Sequence, residues 1–299
     1  MPTPPLLAAR APEEAAAGAS VEATRDVAPG TASGSAGPSV QVLLALIALV
    51  GALLLLSRFL VFEGTYAQRV TDIGVPWLSW LIGAGLPLLG AAQLLLLRGT
   101  EAPTIAVVGG LVAGTALSQL DLVLASAGWW VDPDTDEQAG PGWWVQLAGT
   151  VVLIAFVVVL LRSPVLRGRP GPRSDWRAVI ALLIIVAALV AWLDAYRDYW
   201  LLAAGVEPAL LLAAVCLPLA ALALSPPQRV FGLVAVSVLG AWVVCGPIRQ
   251  FIIDSFPVDA RTAVVSVVAA LGSVAACWLA QWRPPRRPAR PEGELAGSR

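Results

Sequence analysis

Eight apolar runs, each close to twenty residues long, leave this chain few ways to fold. A bilayer core about 30 Å thick is crossed by roughly 20 residues of helix rising 1.5 Å each. In hydrocarbon every backbone N–H and C=O needs a partner within the protein, which for runs of this length means α-helices. The runs lie at 39–62, 76–98, 104–127, 143–161, 178–199, 206–225, 229–248 and 263–282. They consist of Leu, Val, Ala and Ile with interspersed Gly, a mixture that membrane helices tolerate. The expected fold class is therefore all-α, a polytopic helical membrane protein of about eight transmembrane helices. The division between the sixth and seventh runs rests on Ser225-Pro226-Pro227-Gln228 alone. A seven-span or re-entrant arrangement is also open there.

Composition agrees. Hydrophobic residues make up 58% of the 299 and charged residues 13%, with a mean hydropathy of +0.79, whereas soluble domains carry about 25% charged residues. Outside the runs, residues 1–38 are rich in Ala, Pro, Gly, Ser and Thr and lack the basic-then-apolar order of a secretory signal. Residues 283–299 repeat Pro and Arg. Both stretches read as disordered tails. The resulting organisation is an N-terminal tail (1–38), helices one to four (39–162), a basic linker (163–177), helices five to eight (178–282) and a basic C-terminal tail (283–299).

All 19 basic residues are arginine. With both termini cytoplasmic, 14 fall on the inner face, among them Arg98, Arg162, Arg167, Arg169, Arg173, Arg177 and Arg229. The outer face keeps Arg58, Arg69, Arg197, Arg249 and Arg261, and carries the acidic loop Asp132-Pro133-Asp134-Thr135-Asp136-Glu137. The positive-inside rule thus places both termini in the cytoplasm. Trp129, Trp130, Trp143 and Trp144 flank the acidic loop, as an interfacial aromatic belt would. The linker and C-terminal tail read as contacts for anionic lipid headgroups, not for nucleic acid.

The linker splits the spans four and four. Leu86-Pro87-Leu88 recurs as Leu217-Pro218-Leu219 at an offset of 131, which also carries Arg98 onto Arg229. Two parallel four-helix repeats, related by an axis along the membrane normal, would give this pattern. Chance recurrence of Leu and Pro gives it equally well.

Ionisable groups inside spans are costly and mark functional positions or structural pairs. Asp121 is the clearest, with Gln119 beside it and Gly110, Gly114 and Ser118 forming a small-residue ridge that admits a close neighbour. Arg58, Asp194 and Arg249 sit toward the same outer ends. The candidate intramembrane polar site is Arg58, Gln119, Asp121, Asp194 and Arg249, paired as Arg58 with Asp121 and Asp194 with Arg249. The plain reading is that these are structural pairs or arginines snorkelling to headgroups. Pro87 and Pro218 should kink their helices.

No catalytic, cofactor-binding or metal site is expected. The chain has no His, which removes imidazole ligands and Ser-His or Cys-His pairs. It has no Lys, which removes a phosphate-binding P-loop. The acidic loop fails as a calcium loop because its sixth and twelfth positions are Glu137 and Trp143 instead of Gly and a bidentate acid. Cys216, Cys245 and Cys277 lie in three spans, at different estimated depths and without CxxC spacing, and read as buried small hydrophobes.

The first functional reading is a non-enzymatic accessory or scaffold protein of a bacterial cell envelope, with a membrane protein partner. The alternative is a small-solute or ion transporter or channel with an outward-facing polar site. A third is a membrane enzyme acting on lipid-linked substrates through carboxylates such as Glu63, Asp72 and Asp121. The Arg-only basic usage with abundant Ala, Gly and Pro resembles proteins from high-GC actinobacteria and places the chain in a bacterial cell membrane.

Overall fold

The computed structural model describes residues 39–63, 68–69, 80–130, 139–170, 175–197, 202–252 and 259–282. The chain divides into two units, Met1–Gly37 and Pro38–Arg299, and every described residue belongs to the second. Both expected tails and the acidic loop 132–137 lie outside the described residues.

The helices are α1 (Val40–Phe59), α2 (Leu81–Arg98, opening with a π-helical turn Leu81–Gly85), α3 (Ala102–Trp130), α4 (Pro141–Arg162), α5 (Asp175–Ala195), α6 (Leu202–Ala221), α7 (Pro226–Ile252) and α8 (Ala260–Gln281). Between α1 and α2 a small antiparallel ribbon pairs β1 (Val61–Glu63) with β2 (Gln68–Arg69). Several helix ends have a local chemical cause. Ser39 Oγ accepts from the Val42 amide at 3.3 Å and starts α1, and Asp259 Oδ1 accepts from the Thr262 amide at 2.7 Å and starts α8, each satisfying an orphan amide of the first turn. Gly99, at φ 63°, ends α2.

Seven of these helices, not eight, are long and apolar enough to cross a membrane among the described residues. The chain is a multi-pass helical membrane protein. The expected sixth span, 206–225, accounts for the difference. Within α6 (Leu202–Ala221) the residues whose side chains are described, Glu207–Ala221, form an apolar stretch of about 22 Å at 1.5 Å per residue. Carbonyls at the end of α6, of Leu219 and Leu222, accept from Gln281 Nε2 at 2.6 and 3.2 Å, at the C-terminal end of α8. Arg229 in the first turn of α7 donates to the Gln281 carbonyl at 3.4 Å, and Arg177 near the start of α5 donates to the Trp282 carbonyl at 3.1 Å.

These contacts define one face of the bundle, holding the starts of α5 and α7 and the ends of α6 and α8. At the opposite face the Thr262 hydroxyl of α8 donates to the Ala195 carbonyl at the end of α5. There too the start of α4 meets the end of α1, for a Cβ on Gly142 would stand 2.9 Å from the Ser57 carbonyl oxygen.

Helices α3 and α7 meet along the predicted small-residue ridge. A Cβ on Gly110 would stand 2.7 Å from Val234 Cβ, and one on Gly114 would stand 2.5 Å from Val238 Cβ. Each pair is equally far from the start of its helix, so α3 and α7 run parallel about an approximate two-fold axis. Packing repeats accordingly: α1 lies on α4 as α5 lies on α8, α2 on α3 as α6 on α7, and α3 on α4 as α7 on α8. The residues α4 buries, from Gly142 and Gln146 to Phe156 and Leu160, recur as buried residues of α8 at a constant shift of 120, as from Gln146 to Ser266. The offset of 131 does not describe this repeat. Pro87 lies in the first half of α2 and Pro218 near the end of α6, while Arg98 ends α2 and Arg229 begins α7. The counterpart of Pro87 is Pro208, each the seventh residue of its helix. Each half has its own apolar core, one around Leu54, Leu95, Val112 and Leu153 and the other around Ile185, Cys216, Leu239 and Ala270.

Candidate functional site

The most polar part of the described interior lies at the α1-end face, where α1, α2, α3, α4 and α7 converge. Gln119 is at its centre and is fully buried. It faces inward because it follows Ser118 on the α3 flank that Gly110 and Gly114 press against α7. Arg58 Nη2 donates to Gln119 Oε1 at 3.3 Å, and Gln146 Nε2 of α4 donates to the same oxygen. The Ser57 hydroxyl lies 2.7 Å from both Gln146 Oε1 and the Leu54 carbonyl, donating its proton to either. Ser57, Arg58, Gln119 and Gln146 thus form one connected network, with Arg58 only 4% exposed.

Asp121 lies one turn-half further along α3 and is also buried. Its partner is Trp242 of α7, whose indole Nε1 donates to Asp121 Oδ2 at 2.8 Å. The expected Arg58–Asp121 pairing is not made: Arg58 donates to the Gln119 amide and Asp121 accepts from the Trp242 indole. Asp121 Oδ1 and Gln119 Nε2 are sealed from solvent and have no hydrogen-bond partner among the described residues. Glu207, toward the N-terminal end of α6, stands within electrostatic reach of Asp121, and its Oε2 is sealed with no hydrogen-bond partner among the described residues.

The π-helical turn completes the site. Proline at 87 has no N–H, and its ring would crowd the carbonyl four residues earlier in an α-helix. Widening the preceding turn relieves this, and the Leu86 amide reaches back to the Leu81 carbonyl. Such π turns favour functional sites. Gly83 in this turn lies against the site: a Cβ there would stand 2.8 Å from the Trp242 ring and 3.1 Å from Gln119 Nε2.

Of the five expected site residues, Arg58, Gln119 and Asp121 come together. Asp194 does not. Its side chain is exposed and forms a surface pair with Arg197 at 3.8 Å, because the buried stripe of α5 passes through Trp192 instead. The Arg249 side chain lies outside the described residues, as do Glu63's side chain and Asp72. Sequence reasoning missed Ser57, Gln146, Trp242, Glu207 and Gly83. Signals for them existed: Gln146 is the one amide in its run, and Gly83-Ala84-Gly85-Leu86-Pro87 is a helix-loosening string. The cysteines also differ from expectation. Cys216 and Cys277 are at one depth, with the Cys277 thiol donating to the Cys216 carbonyl at 3.6 Å, and both are fully buried.

Among the described residues no group of three or more potential metal ligands is present. No family model, curated protein or solved structure matches the chain.

Proposed function

We propose that the protein binds and passes a small polar solute at the Arg58–Gln119–Asp121 site, as a non-enzymatic transporter or channel component of a bacterial cell membrane. The observation that carries this reading is the pair of sealed, unpartnered polar atoms, Gln119 Nε2 and Asp121 Oδ1, beside a satisfied network. A buried polar group without a partner costs about 1–3 kcal/mol, and more in hydrocarbon. A ligand that supplies the missing partners offsets that cost. The orientation proposed puts the Arg98, Arg162, Arg167 and Arg169 face in the cytoplasm, where these exposed arginines meet anionic headgroups. The site then lies toward the outer face.

The test is stopped-flow light scattering on proteoliposomes challenged with amines, polyols and amino acids. Solute-dependent swelling that Asp121→Asn and Gln119→Leu abolish, at unchanged insertion, supports the reading. Wild-type swelling in both variants for every solute that crosses would overturn it. No swelling above empty liposomes, with a stoichiometric membrane partner recovered by crosslinking, would replace it with the accessory-or-scaffold reading.

A further inference from the structure

Two arginines from different helices converge on the end of α8. Arg177, the third residue of α5, donates through Nη1 to the Trp282 carbonyl at 3.1 Å, and Arg229, the fourth residue of α7, donates through Nη1 to the Gln281 carbonyl at 3.4 Å. The two carbonyls are successive along the chain, so both guanidinium groups are held at one helix end. The Arg177 guanidinium also lies over the Trp176 ring, 5.2 Å from its centroid, and its Nε is sealed from solvent. It is thus held in place, while the residue keeps part of its surface exposed. A guanidinium has five N–H donors. Among the described residues Arg177 forms no ion pair, and its one hydrogen bond is to the Trp282 carbonyl. Asp175 shares its turn of helix, but residues two apart do not face each other.

The plain reading is that these arginines complement the C-terminal dipole of α8 and cap its carbonyls. The repeat weighs against that as the whole account. Helix α4, the counterpart of α8, ends with Arg162 alone, in its own last turn. The residues matching Arg177 and Arg229 are Val42, third in α1, and Ile105, fourth in α3. One cation therefore suffices to end this helix in the first half, and the second half brings two from elsewhere.

What surrounds them is suited to lipid. Asp175 and Gln281 bound two helices long and apolar enough to cross a membrane, so the arginines sit at the depth of the interface. Trp176 and Trp282 are each more than half exposed there, as interfacial indoles are. Further along α5, at helical spacing from Trp176, Val179, Leu183 and Val190 are also more than half exposed. An occupant of this surface must offer acceptors at the level of the guanidinium groups and hydrocarbon beside α5. A phosphodiester oxygen pair matches the fork of a guanidinium, and acyl chains match the stripe. A zwitterionic headgroup carries a cation of its own, which two arginines repel.

We propose that Arg177, Arg229 and Trp176 bind the phosphate of one anionic glycerophospholipid, its acyl chains lying along α5. This is a discrete site at the face opposite Gln119, separate from the diffuse attraction of Arg98, Arg162, Arg167 and Arg169 for headgroups, and it does not depend on solute binding.

The experiment is native mass spectrometry of the full chain, titrated in detergent with phosphatidylglycerol or phosphatidylcholine. One phosphatidylglycerol per chain is expected to bind at least about tenfold more tightly than phosphatidylcholine. Arg177→Gln and Arg229→Gln should each weaken phosphatidylglycerol about tenfold, the effect of losing one charge-assisted hydrogen bond. The triple variant Arg162→Gln, Arg167→Gln, Arg169→Gln should bind it as the wild type does. Equal affinity for the two lipids would overturn the proposal, as would a loss in the triple variant equal to that in Arg177→Gln. Displacement of phosphatidylglycerol by millimolar glycerol phosphate would make this a site for a soluble phosphate and refute the lipid assignment. The lipid comparison and the displacement need only wild-type protein, so a variant that fails to fold does not decide the matter.

Discussion

Gly114→Ala tests the account of how the two halves are joined. The new Cβ would stand 2.5 Å from Val238 Cβ and 2.8 Å from the Ala235 carbonyl oxygen, while carbon–carbon contact is most favourable at about 3.5–4.0 Å. Neither neighbour is the end of a flexible side chain. Helices α3 and α7 must therefore separate by about 1 Å, at the contact that joins two otherwise separate cores. Overpacking of this kind costs about 1–3 kcal/mol, and in lipid close packing is itself a main source of helix association. Alanine's better helix propensity returns at most about 1 kcal/mol. The expected net loss is about 1–2 kcal/mol, a factor of roughly 5–30 in the folded-to-unfolded ratio. Thermal unfolding in detergent, followed by cysteine accessibility, measures it. Gly272→Ala is the control, because its Cβ would meet nothing within 4 Å and only the propensity gain remains. The reasoning fails if Gly114→Ala and Gly272→Ala melt alike.

Three further outcomes follow from particular contacts. Gln146→Leu should destabilise by about 1–2 kcal/mol in chemical unfolding, since it strips one donor from Gln119 Oε1 while Ser57 falls back on the Leu54 carbonyl. Gln281→Leu should free the end of α6 by removing its donor to the Leu219 and Leu222 carbonyls. A membrane-permeant maleimide should then label Cys216 and Cys277 several-fold faster than in the wild type, where both are buried. Asp194→Asn should change neither stability nor solute binding measurably, because an exposed pair at 3.8 Å contributes between zero and about 0.5 kcal/mol. A binding defect in that variant would return Asp194 to the site.

How much of this was legible depended on whether the signal was local. Helix class, most span boundaries and the Gly110–Gly114 ridge are properties of consecutive residues, and lipid enforces them strongly. The end of α4 at Arg162 and the close α3–α7 approach could therefore be read directly. The sixth helix was harder, since Glu207, Pro208 and Pro218 sit within a run whose average hydropathy is still high. The Arg58–Asp121 pairing failed for a different reason. Equal depth and opposite charge do not specify partners when amides and indoles compete, and Gln146 and Trp242 come from helices remote in sequence. Glu207 was invisible as a site residue because its approach to Asp121 exists only through the packing of α6 on α3.

The repeat turns these failures into an argument about where function resides. The two halves share their helix packing and the buried positions of α4 and α8, so whatever differs between them is not needed for the fold. At the positions matching Ser57, Gln119 and Gln146 the second half carries other side chains. Ser57 corresponds to Trp192, which is buried and stacks on Tyr196 with centroids 6.0 Å apart. Gln119 corresponds to the buried Val243, and Gln146 to Ser266, whose hydroxyl donates within its own helix to the Thr262 carbonyl. The same scaffold thus carries Trp192, Val243 and Ser266 at one corner and arginine, two amides and a carboxylate at the other. Replacing a buried polar network by packed apolar groups is often neutral or stabilising, and the second half shows that this bundle accommodates it. Stability therefore gives no reason to retain the network in the first half. The unpartnered atoms of Gln119 and Asp121 make retention costlier still, and the proposed solute binding would supply the reason that folding does not.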